Sequence, residues 1–132
     1  MKIVIVGCGR VGAMAATSLS RAGHEVTIID INPKAFERLS SDFNGEMVLG
    51  NGIDEDVLRR AGIEKADGFA SLTNGDNRNI MAAQIAREIF NVPRVITRIY
   101  DPMRDDVFSE LGLKTVSPTL SGARHIHAML KG

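Results

Sequence analysis

Hydrophobic and polar positions along the chain follow two alternating rhythms. Short runs rich in Ile and Val occupy Lys2–Val6, Glu25–Asp30, Glu46–Leu49, Gly68–Leu72, Arg94–Tyr100 and Thr115–Val116. Runs of this length and composition predict strands buried on both faces, as in a parallel sheet. Between them, apolar residues recur at helical spacing and predict helices over Val11–Ala22, Pro33–Asp42, Asp54–Ala61, Asn77–Phe90 and Met103–Leu111. End signals agree with these bounds. Pro33 suits a first turn, Asp54 suits an N-cap, and Gly23, Gly62 and Gly112 each follow a helical segment where glycine closes it. A last helix, Pro118–Lys131, has no strand after it to pack beside, yet Leu120, Ala123, Ile126 and Leu130 form one apolar face. Such a face calls for a cover, either a second subunit reached by a crossover or a further domain.

Length and charge narrow the function classes. With 132 residues, 44% of them hydrophobic, the chain suits one domain whose core needs no staples. Sixteen basic side chains balance sixteen acidic ones, which argues against nucleic acid or anionic lipid as a partner. The single cysteine, Cys8, excludes an intramolecular disulfide. Met1–Val6 is too short an apolar run for a signal peptide, and no run approaches the ~18 apolar residues of a membrane span. The expectation is a cytoplasmic protein that meets a membrane only through another chain.

Candidate chemistry gathers in Val6-Gly7-Cys8-Gly9-Arg10-Val11-Gly12, a GxGxxG between a hydrophobic strand and an Ala- and Ser-rich helix. In that context Gly7 takes the tight turn, Gly9 leaves room for a diphosphate, and Gly12 lets helix and strand approach. Amide groups at the helix start then face the phosphates. The pattern predicts an α/β, Rossmann-like, doubly wound parallel sheet of six strands, order 3-2-1-4-5-6, with helices on both faces. Residues 1–117 would form it and residues 118–132 the crossover helix. A glycine turn without ligand is the plainer alternative.

Asp30 ends the second strand about 20 residues beyond the glycines, where a carboxylate accepts hydrogen bonds from ribose hydroxyls and repels a 2′-phosphate. NAD(H), ATP, ADP or AMP is therefore expected ahead of NADP, although Lys34 and Arg38 soften the exclusion. Asp30 also fits a helix cap or a solvated strand end. Arg10 admits two readings, folded over a phosphate or simply exposed. Thr73, Asn74 and Gly75 follow the fourth strand beside the point where strand order reverses, and Thr73 and Asn74 are candidate ligand donors. For Asp76, capping the helix that carries Asn79 is the favoured account. Asn51-Gly52, with Ile53, fits an adenine edge and a plain turn equally well. The full candidate set is Gly7, Cys8, Gly9, Arg10, Val11, Gly12, Asp30, Ile31, Lys34, Asn51, Gly52, Ile53, Thr73, Asn74, Gly75, Asp76 and Arg98. Cys8 sits at a helix N-terminus, which lowers a thiol pKa, but a variable turn position is the simpler reading. His24 reads as a surface residue, while His125 and His127, two apart on a helix, cannot share a metal. No Ser/His/Asp set, paired catalytic carboxylates or Cys cluster is present.

Nearly the whole chain resembles the N-terminal domain of TrkA-type proteins, the RCK or KTN domain. Matching residues begin with Gly7-Cys8-Gly9-Arg10-Val11-Gly12, Gly23-His24-Glu25-Val26, Ile29-Asp30 and Gly50-Asn51-Gly52. They continue through Ala61-Gly62-Ile63, Ala66-Asp67, Thr73 with Asp76 and Asn79, Ile96-Thr97-Arg98, Asp101-Pro102, Leu111-Gly112 and Ser117-Pro118. The resemblance implies a non-enzymatic sensor: binding of NAD(H), ATP or ADP gates a membrane potassium channel or transporter subunit. It also implies pairing as a homodimer through the last helix, assembly into a ring, and a second small domain beyond Gly132. An NAD-dependent dehydrogenase fragment is the rival, since hydride transfer uses the same turn, but the chain has length for neither a substrate domain nor its proton donor. A redox-sensing transcriptional regulator is disfavoured by the neutral charge.

Overall fold

The computed structural model describes residues 1–101 and 104–132. Its strands are β1 (Lys2–Val6), β2 (Glu25–Asp30), β3 (Glu46–Leu49), β4 (Gly68–Ser71), β5 (Arg94–Arg98) and β6 (Lys114–Val116). They form one sheet in the order β3-β2-β1-β4-β5-β6, with every pairing parallel. This is the expected doubly wound topology. The helices are α1 (Arg10–Arg21), α2 (Glu55–Arg60), α3 (Asp76–Gln84), α4 (Asp105–Glu110) and α5 (Pro118–Lys131). A π-helical turn, Ile85–Ile89, continues α3.

Side chains alternate across the pleat, so β1 feeds two separate cores. Ile3 and Ile5 pack with Val26, Ile28 and the α1 residues Ala13 and Ala16. Val4 and Val6 point the other way, into a larger cluster with Ile29, Leu58, Ile63, Phe69, Ala82 and Ala86. Gly23, Gly62 and Gly112 take positive φ after their helices, as the end signals predict. Asp54 caps α2 by accepting the Asp56 N–H at 2.8 Å.

Some bounds differ from expectation. The predicted helix Pro33–Asp42 is only a 3₁₀ stretch, Pro33–Arg38. Asn32 caps it as the first-turn proline suggests, but only Ala35 is buried, so little apolar surface holds further turns in place. Leu39 becomes extended, and Arg21 on α1 draws the next residues away, donating to Asp42 Oδ2 at 2.7 Å and to Ser40 Oγ at 3.1 Å. A short 3₁₀ turn, Ile63–Lys65, went unforeseen. The predicted start of the fifth helix at Met103, and Pro102 before it, lie outside the described residues. On α5 no side chain is buried, and Ile126, Met129 and Leu130 are 60%, 70% and 83% exposed. Among the described residues no helix is long and apolar enough to cross a membrane.

At Gly12 the first turn of α1 comes close against the glycine turn, and a Cβ there would stand 1.9 Å from the Gly7 carbonyl oxygen. Backbone cannot move aside as a flexible side chain can. Gly12→Ala should therefore lower unfolding free energy by about 1–3 kcal/mol, read from the urea midpoint at unchanged slope.

Candidate functional site

At the carboxyl ends of the strands, where β1 and β4 run side by side and the winding reverses, a cleft of about 610 Å³ opens. Gly7 begins its floor with φ +106, a left-handed conformation that glycine adopts without strain, and its N–H donates to the Ile29 carbonyl at 2.7 Å. Asp30 at the tip of β2 then secures the turn. Its Oδ2 accepts the Cys8 N–H at 2.8 Å while Oδ1 accepts the Asn32 N–H at 2.8 Å. α1 starts immediately afterwards with Gly9 as N-cap and no side-chain capping bond. The N–H groups of Arg10, Val11 and Gly12 thus have no acceptor within the helix, and beyond its own chain neighbours no described atom lies within 4 Å of where a Cβ on Gly9 would stand. The open helix end faces the cleft with its positive dipole.

Charge on the walls matches this. Arg10, Arg38, Arg78 and Arg98 line the cleft against a single carboxylate, Asp30. Arg38 donates to the Cys8 carbonyl at 3.3 Å, whereas Arg10 and Arg78 have no ion pair among the described residues. The Arg98 guanidinium lies over the Tyr100 ring, 4.1 Å from its centroid, and its Nε is buried without a hydrogen-bond partner among the described residues. A cleft with this lining is built to hold an anion.

Of the predicted residues, Gly7, Cys8, Gly9, Arg10, Val11, Asp30, Ile31, Asn51, Gly52, Ile53, Thr73, Asn74 and Arg98 come together around this one cleft. Gly12, Lys34, Gly75 and Asp76 do not line it. Gly12 serves helix packing, and Lys34 is exposed on the 3₁₀ stretch, where its N–H is capped by Asn32. Asp76 corrects the capping expectation: Gly75 is the N-cap of α3, and the Asp76 carboxylate instead accepts the N–H groups of Tyr100 at 2.7 Å and Asp101 at 3.2 Å. The Thr73 hydroxyl is already engaged, donating to Asn79 Oδ1 at 2.6 Å. Sequence reasoning missed Arg78 and Tyr100. A signal for Arg78 was available, because a cation in the first turn of a helix opposes the dipole and needs another reason to be there. Tyr100 is the chain's one tyrosine, and nothing in its spacing marks it.

Cys8 shows none of the pKa lowering that a helix N-terminus can give. Its thiol is buried, and that burial, with the Asp30 carboxylate beside it, raises the pKa from 9.0 to about 11, against the smaller lowering effect of Arg38. His125 and His127 are both exposed on α5, and among the described residues no cluster of His, Cys, Asp or Glu is arranged for a metal.

The TrkA-N domain model matches residues 3–118. The chain belongs to the TrkA-N family. A curated relative, the Trk system potassium uptake protein TrkA of Streptomyces coelicolor, is 53% identical over 117 residues, covering 89% of this chain and 52% of the relative. This TrkA-N chain therefore spans about half the length of that relative. Two solved structures share the fold closely. The GsuK channel bound to NAD has a TM-score of 0.83 at 27% identity, covering 98% of this chain and 23% of that one. GsuK bound to ADP has a TM-score of 0.81 at 28% identity, covering 98% and 33%.

The Cys8 environment gives a direct check. At pH 8 the folded thiol should stay protonated and unreactive toward a chromogenic disulfide over minutes, and react promptly once guanidinium unfolds the chain. Because the unfolded thiol ionises first, stability should also fall as pH rises from about 9 toward 11.

Proposed function

We propose that this chain is the nucleotide-sensing part of a cytosolic regulator of a potassium transport system. It would bind an adenine nucleotide, NAD(H) or one of ATP, ADP and AMP, and bias a membrane pore subunit by population shift. Ligand binding, not bond chemistry, is its task. The observation that carries the reading is the uncapped start of α1 opposite Asp30, inside a cleft rimmed by four arginines.

The residues present fit such a ligand. Amides of Arg10, Val11 and Gly12 would hold the phosphate nearest the sugar, with Gly9 leaving space for it. Each Asp30 oxygen takes one backbone N–H, which leaves lone pairs for the ribose hydroxyls. Asn51 to Ile53 at the end of β3 would border the adenine, and Arg10 and Arg98 would meet groups beyond the first phosphate. Similarity to GsuK bound to NAD and to ADP supports both ligand types. The potassium role is supported by 53% identity to a Trk system potassium uptake protein. A dehydrogenase fragment fits less well, since the curated relative is named a potassium uptake protein and the NAD-bound structure is that of a channel. The exposed apolar residues of α5 suit pairing with a second copy, which would place residues 118–132 as a crossover helix and permit ring assembly below the pore.

Calorimetric titration checks the assignment. Wild type should bind ADP or NADH and discriminate ADP from 2′-deoxy-ADP, whereas Asp30→Ala should lose at least about tenfold in affinity and most of that discrimination. Equal binding by the two proteins removes Asp30 from the sugar. Arg10→Ala should weaken ATP more than AMP, and an unchanged ATP-to-AMP ratio removes Arg10 from the phosphates.

A further inference from the structure

The first turn of α3 reaches the cleft only through Arg78, yet it holds the segment that carries two other cleft residues. Asn79 is completely buried, and its Nδ2 donates to the carbonyls of Thr73 and Arg98, each at 3.0 Å. Its Oδ1 accepts the Thr73 N–H at 2.9 Å, and its own carbonyl accepts from Ser71 Oγ at 2.7 Å. Three residues earlier, Asp76 takes the N–H groups of Tyr100 and Asp101. The stretch from Arg98 to Asp101 is thus fastened to α3 at both ends. Between those points the Ile99 N–H donates to the Val116 carbonyl of β6 at 2.9 Å. The Tyr100 ring in turn lies under the Arg98 guanidinium, 4.1 Å from ring centroid to Cζ.

We propose that Asp76 is a positioning residue for phosphate recognition: by fixing the Tyr100 backbone it aims Arg98, and so governs how well the protein tells a nucleoside diphosphate from a monophosphate. This rests on the adenine-nucleotide reading given above. Sheet order supplies the selectivity. With the sugar at the tip of β2 and the first phosphate at the turn after β1, only groups beyond that phosphate extend over β4 and β5. AMP reports on the glycine turn alone, while ADP reports on the turn plus Arg98.

The sign of the effect separates positioning from simple electrostatics. Removing a carboxylate near an anion site strengthens anion binding if charge alone matters; loss of aim weakens it. Calorimetry on the full chain with ADP and AMP as probes reads the difference. Asp76→Ala should bind ADP about tenfold more weakly and AMP within about twofold of wild type. In an Arg98→Ala background the same substitution should change ADP affinity by less than about twofold. Asp76→Asn, whose amide oxygen still accepts one of the two N–H groups, should recover part of the ADP affinity, and it carries the test if the alanine variant does not fold. Tighter ADP binding, equal losses for ADP and AMP, or additive losses in the double variant would overturn the positioning role. Binding of NADH by wild type without binding of ADP or AMP would also overturn the positioning role, whereas failure to bind any of ADP, AMP, ATP and NADH would instead overturn the adenine-nucleotide reading.

Discussion

Two hydrogen bonds to the Asp30 carboxylate, from the amides of Cys8 and Asn32, tie the tip of β2 to the turn that follows β1. Charge-assisted bonds of this kind are about twice as strong as neutral ones, so the turn is held where glycine conformations allow it rather than relaxing toward the sheet. Everything nearby depends on that. Because Cys8 spends its amide on Asp30, the helix that starts at Arg10 keeps its own first amides for something outside the protein. Because Gly12 lies against the Gly7 carbonyl, that helix cannot rotate its open end away from the cleft.

Charge distribution follows a similar economy. The chain as a whole is neutral, with sixteen groups of each sign, yet its cleft carries four arginines and one carboxylate. Acidic groups are spent elsewhere: Asp42 pairs with Arg21, Glu25 with Lys2, and Glu55 with Arg59. The cleft therefore keeps a positive excess where walls of low dielectric concentrate the field. A balanced composition argues against polyanionic surfaces as partners and says nothing against a small anion in one cavity.

The sequence made the sheet order and the floor of the cleft legible because both rest on local rules. Apolar runs mark β1 to β6, and the glycine spacing with Asp30 at the next strand end marks one turn. What stayed hidden required knowledge of neighbours in space. Helical periodicity over Pro33–Asp42 was cut short because only Ala35 of the 3₁₀ stretch finds a core to pack against, which depends on its neighbours in space. Asp76 looked like a cap because caps are acidic and precede helices, but its partners lie 24 and 25 residues later. The helix-end position of Cys8 taken alone would lower its pKa, whereas burial beside a carboxylate raises it. Tyr100 joins the cleft through the arrangement of α3 against β5, which no single segment encodes.

Ser117 at the end of β6 caps α5 by accepting the Leu120 N–H at 3.2 Å, and Pro118 stiffens the first turn. The helix is thereby welded to the sheet edge at its base and is exposed from Ser121 to Lys131. At 14 residues it is a rod about 21 Å long. Tilting the base by only about 5° sweeps the far tip through about 2 Å. Val116, beside the weld, accepts a hydrogen bond from Ile99, so this rod is geared to the strand that carries Arg98. A displacement too small to disturb the core becomes, at the tip, a movement comparable to the helix shifts that switch subunit interfaces.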